Sequence, residues 1–231
     1  MIQLAPPQEE QAEALAQARE AAESEARREL VERARLRLED VGANARPARW
    51  EWPELAGRLA ELSQWRGGPA LGWALALVRD TQRRGEPVAW VGSRRSSFYP
   101  PDALALGVDL AALPVVRPKL ESEIAVAAEW LARSGAFGLV VADLWLRADV
   151  PMALQSRLVA QAQRHDLAVL FLTEKERRSE SLSSLVSLRA HATLRRRGPD
   201  EFECELEVHK DKRRSRPWRQ IEVARGVAGL R

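Results

Sequence analysis

From residue 57 to about 174, short apolar runs alternate with helical periods, and this alternation constrains the fold more than any other feature of the chain. GRLAEL, EPVAWVG, AFGLVVADLWL and DLAVLFLTE are the apolar runs. PALGWALALVRDTQRRG, ESEIAVAAEWLARSG and residues 151–165 carry the helical spacing, and LALGVDLAALPVV is a further apolar stretch within the series. Runs that are apolar at nearly every position have no wet face, so they predict parallel strands covered on both sides by the helices of βαβ units.

Beyond residue 180 the pattern changes. SESLSSLVSLRAH predicts a short helix that leads into ATLRRR and a GPD turn. In EFECELEVHK, Phe202, Cys204, Leu206 and Val208 then alternate with Glu201, Glu203, Glu205 and Glu207. Period-two alternation means a strand with one wet face, as an antiparallel extension has, and PWRQIEVARG supplies a final strand. The expected fold class is α/β: a mainly parallel sheet flanked by helices, with antiparallel strands at its C-terminal end. Cys204, on the apolar side, reads as a small core residue.

Between Pro7 and Gly42 there is no Gly or Pro, and Leu15, Ala18, Ala22, Ala26, Leu30, Ala34, Leu38 and Val41 recur every three or four positions. This predicts a long amphipathic N-terminal helix that either docks its C-terminal half or serves a partner or self-association. The turn-rich stretch GANARPARWEWPE reads as a connector, with Trp50 and Trp52 packing against the core domain. The expected division is an N-terminal helix over 1–45, a connector over 46–56 and a core domain over 57–231.

A chain of 231 residues suits one α/β domain with an appendage. One cysteine excludes an internal disulfide and a cysteine-rich zinc site and suits a reducing, cytoplasmic setting. No run approaches the roughly 18 apolar residues of a membrane span, and the start, MIQLAPPQEE, lacks the pattern of an export signal. The net charge is only +3, so any nucleic-acid signal rests on where the cations sit.

WRGGPALGWALAL has the glycine spacing of a phosphate-binding loop from Gly67 to Gly72, yet the Lys position is Trp73 and the Ser/Thr position Ala74. Such a loop needs the ammonium for the β/γ phosphates and the hydroxyl for Mg²⁺. Losing the first alone removes about 1.5–3 kcal/mol, and both together weaken binding roughly 100-fold or more. Trp73 is expected to fill the vacated pocket and make the loop a packing element.

GRLAEL, WALAL, LGVDLAALPVVRP (106–118), EWLARSGAFGLVVAD (129–143), VLFLTE, ATLRRR and HKDKRRSRPWRQIEV follow one another in the order of a RecA-type recombinase core, which the chain resembles from Gly57 to Val223. The resemblance implies a RecA-like fold. It also puts Asp143 at the Mg²⁺-side aspartate, Arg94 of GSRRSS where the catalytic glutamate falls, and Glu174 in place of the glutamine that couples nucleotide to DNA loops. Asp143 reads otherwise as a strand-end residue capping a turn. The stretches that carry DNA in that family are short here.

Lys210 and Lys212 match the paired lysines with which RecA protomers reach a neighbour's nucleotide, and read otherwise as strand-end lysines. They lie in a basic C-terminal third with Arg177, Arg178, Arg195, Arg196, Arg197, Arg213, Arg214, Arg216 and Arg219. That third is open to three readings: a solvated face, sequence-blind contact with a DNA backbone, or an acidic protein partner.

A RecA-like core with these departures looks most like the ImuA family. The resemblance implies an adaptor of SOS-type, damage-induced mutagenesis and translesion synthesis, not an enzyme, with no cofactor. Its partners would be RecA or the inactive Y-family polymerase homologue ImuB. A SulA-type division inhibitor and a weakly active DNA-dependent ATPase are the rival expectations.

Overall fold

The computed structural model describes residues 47–96, 98–145, 149–214 and 216–225. The expected N-terminal helix lies outside the described residues.

Among the described residues eight strands form one sheet in the order β3-β2-β4-β5-β1-β6-β7-β8. They are β1 (Leu59–Gln64), β2 (Val88–Gly92), β3 (Val115–Val116), β4 (Leu139–Trp145), β5 (Ala168–Glu174), β6 (Leu188–Arg196), β7 (Glu201–Asp211) and β8 (Trp218–Arg225). The pairs from β3 through β1 to β6 are parallel, and β6–β7 and β7–β8 are antiparallel. This is the α/β class that the sequence pattern predicts, a mainly parallel sheet with antiparallel strands at its C-terminal end.

The helices are α1 (Trp52–Leu55), α2 (Ala70–Arg83), α3 (Pro100–Ala105), α4 (Ile124–Ser134) and α5 (Met152–His165). On one face of the sheet Trp73, Leu77 and Val78 of α2 and Ala103 of α3 pack with Ala60, Leu62, Trp90 and Leu170. On the other, Ala128 and Ala132 of α4 and Leu154 and Leu158 of α5 pack with Leu59, Val140, Val169 and Phe171. Every residue of β1 and β2 is buried, so neither strand has a wet face; β2 is apolar throughout, whereas β1 also buries Glu61, Ser63 and Gln64.

The connector behaves as its tryptophans suggest. Trp50 is 3% exposed and donates through Nε1 to the Trp73 carbonyl at 3.2 Å. Trp52 opens α1 and donates from Nε1 to the Gly138 carbonyl at 2.8 Å.

Two expectations need correction. SESLSSLVSLRAH is not a helix: residues 175–187 run as an irregular strap, and β6 begins at Leu188. Leu188 and Ala190 join the core beside β1, which has an edge free for a sixth strand, and ladder pairing there overrides the helical spacing. The glutamate face of β7 is not fully wet either. Glu203 and Glu205 are 6% and 9% exposed, roofed by arginines reaching across from the neighbouring strands.

Candidate functional site

In this parallel sheet β1, β2, β4 and β5 end on the same edge, and the loops after them meet there. β1 delivers the glycine loop, β2 the turn with Arg94, and β4 delivers Asp143. β5, inserted between β1 and β4, sets Glu174 opposite Gln64.

The loop spans residues 65–69, and α2 starts at Ala70, inside the glycine pattern. Gly67 has φ +80°, a left-handed conformation that favours glycine. At Gly68 a Cβ would meet Gln64 Cβ at 2.9 Å and the Ala192 carbonyl at 3.1 Å, so the backbone lies flat on β1 and β6. Gly72 is helical with open space around it, and nothing local requires glycine there.

The amide at the head of α2 is taken by the chain itself: Ala70 N donates to Gln64 Oε1 at 2.8 Å. In a phosphate loop such N–H groups face the anion. The position of the phosphate lysine carries Trp73, 3% exposed within the core that α2 forms with the sheet, and Ala74 beside it is fully buried. The indole therefore packs beneath the helix, and Gln64 rather than Trp73 occupies the helix terminus. The sequence reading missed Gln64 because a polar residue ending a strand has no spacing to mark it.

Asp143 is 2% exposed. Ser96, in the turn after β2, donates its hydroxyl to Asp143 Oδ2 and accepts Phe98 N at 3.1 Å. Asp143 thus braces the neighbouring turn. Gly92 permits this approach: a Cβ there would meet Ser96 Oγ at 2.8 Å and Asp143 Cβ at 3.3 Å. Burial pushes the Asp143 carboxyl up to about 7, although the Ser96 hydroxyl, the Trp90 indole and the charge of Arg117 pull it down. Arg94 stands exposed in the same turn. A Mg²⁺–triphosphate calls for an ammonium, a hydroxyl and an ionised carboxylate, and this set fits it poorly, with an indole, a methyl and an acid that burial holds only about half ionised near neutral pH.

The strap over residues 175–187 crosses the sheet beyond β5 and is tied down by charged groups. Glu61 of β1, fully buried, accepts Thr173 Oγ1 at 3.0 Å and Leu182 N at 2.8 Å and pairs with Lys175 at 2.8 Å. Arg189 donates to the Ser179 carbonyl, and Arg177 pairs with Glu207 at 2.6 Å.

Lys210 lies against Ser181 Oγ and the Ser183 carbonyl, each at 3.4 Å, and Lys212 donates to the Ser184 carbonyl at 2.7 Å. Both lysines of KDK are therefore engaged on the strap.

Most of the remaining cations of the basic third have partners within the chain. Arg195 faces Glu205 at 3.7 Å and Arg197 pairs with Glu203. Arg196 closes the turn after β6 on the Gly198 and Pro199 carbonyls. Arg213 donates to the Ala56 carbonyl at 2.6 Å, Arg214 pairs with Glu54 at 2.5 Å, and Arg216 is exposed.

No family model matches the chain. Protein RecA from each of two strains of Thermus thermophilus is 34% identical to it over 125 residues, a stretch covering 49% of this chain and 36% of either RecA. The chain thus spans about a third of the length of the curated relatives it matches. The similarity, partial and distant, supports a RecA-like relationship, and the sheet order and flanking helices accord with a RecA-like core. No described helix is long and apolar enough to cross a membrane.

Proposed function

We propose that this chain is a RecA-like adaptor that does not turn over nucleotide and works by docking on RecA or on an ImuB-type polymerase homologue in damage-induced mutagenesis. The observation that carries the reading is the loop closed on its own strand, Gln64 Oε1 on Ala70 N with Trp73 buried at the lysine position. Asp143 spent on Ser96 supports it further. A recombinase core whose nucleotide edge is filled from within keeps its shape and loses its switch, and a retained shape is what a protomer of the same lineage recognises. Direct DNA contact has a lesser part in this reading, because Arg195, Arg197, Lys210 and Lys212 already serve glutamates and the strap.

The test is retention of purified RecA and of an ImuB-type protein on the immobilised full chain, with and without single-stranded DNA and nucleotide. Retention of either, together with altered filament growth of the retained RecA, is the expected result. Loss of both partners in every condition contradicts the proposal.

A further inference from the structure

The sheet ends on β8, whose inner edge pairs with β7 from Glu201↔Arg225 to Val208↔Trp218 without a bulge. Among the described residues no strand pairs with its outer edge. An edge of this kind is a template for another strand, and folded proteins ordinarily blunt it with lysines, proline, bulges or shortness. β8 is 8 residues long and contains neither lysine nor proline. Ile221 and Val223, 45% and 53% exposed, stand next to each other on the face they share with Glu205 and Glu203.

We propose that β8 pairs antiparallel with β8 of a second copy of this chain, about a twofold axis through Ile221. The strand is complementary to itself in that register. Ile221 faces its own counterpart, Gln220 faces Glu222, Arg219 faces Val223 and Trp218 faces Ala224, so no two like charges stand opposite.

Moving the axis to Glu222 sets Glu222 against itself, and moving it to Gln220 sets Val223 against Pro217 and shortens the ladder. Glu222 and Gln220 already share a hydrogen bond at 2.9 Å along the strand, and the same two groups meet across the axis in the favoured register. One sheet then continues through both copies. The inference is independent of the nucleotide reading.

Sedimentation of the full chain over about 1–100 µM, the range expected of a small interface, tests it. A reversible monomer–dimer equilibrium is expected, with Ile221→Lys monomeric at every concentration and its circular dichroism unchanged. Cross-linking supplies a readout that does not depend on that variant folding. In a Cys204→Ser background, Ile221→Cys should form a disulfide dimer on mild oxidation, since directly opposed residues lie about 4.5–5.5 Å apart. Glu222→Cys in the same background should not, because its counterpart lies on the diagonal. A monomer throughout, a dimer indifferent to Ile221→Lys, or stronger cross-linking at 222 than at 221 overturns the proposal.

Discussion

Trp73 and Asp143 occupy positions where the RecA-type resemblance leads one to expect nucleotide chemistry, and each has been taken up by the interior. Trp73 lies in the core with Trp50, and its indole N–H finds no acceptor among the described residues, so its contribution comes from packing. Truncation to Ala is expected to lower stability by about 3–5 kcal/mol. Reinstalling the nucleotide residues as Trp73→Lys/Ala74→Thr lowers it by at least as much, because an ammonium then enters that core. Urea unfolding measures both, and phosphate release from the double variant should stay at background. A double variant as stable as the parent would contradict the placement.

Asp143 makes a pH prediction. Its carboxyl is held up to about 7 when folded and reverts to its ordinary 3.8 when unfolded. The folded chain therefore keeps a proton between those values that the unfolded chain has released. This group favours folding most at low pH, and the benefit falls away as pH rises through 7. Relative to Asp143→Asn, the parent should lose stability from pH 4 to pH 7, by at most about 1.4 kcal/mol per pH unit. A difference flat with pH would show the acid to be ionised throughout.

Among elements, the antiparallel extension and its strap depend on charges more than the parallel strands do. Arg58, 3% exposed at the entry to β1, pairs with Asp211 at the end of β7 at 2.7 Å and donates to the Ser187 carbonyl at the same distance. Arg58→Met leaves Asp211 without that cation and should cost about 3–5 kcal/mol, read by chemical unfolding. A loss below about 1 kcal/mol would mean that the pair is not dry.

The elements also show what the residues alone could disclose. The parallel strands were legible because burial on two faces leaves an apolar run, and α2, α4 and α5 because their spacing is 3.6. The strap was not legible. Leu182, Leu185, Val186 and Leu188 have helical spacing, yet the first three pack with the α4–α5 side of the core and Leu188 with the α2 side, a division only the sheet imposes. Glu61, in the middle of an apolar run, gives no hint that it will anchor Leu182 and Lys175. The basic third stays open to several readings in the sequence because a sequence lists cations without their partners. Arg195 and Arg197 find theirs only when β6 pairs with β7.

As a whole the molecule has the sheet order and layering of a RecA-like core, with the edge where its loops meet filled from within by Gln64 and the Ser96–Asp143 contact. An edge closed in this way lacks the ammonium and the hydroxyl of a Mg²⁺–triphosphate site, since Trp73 and Ala74 stand at those positions, and the proposed adaptor role depends on that. The most direct measurement is calorimetric titration of the full chain with Mg²⁺–ATP. The account predicts no saturable heat up to about 1 mM nucleotide. Stoichiometric binding in the micromolar range, abolished by Asp143→Ala, would contradict it.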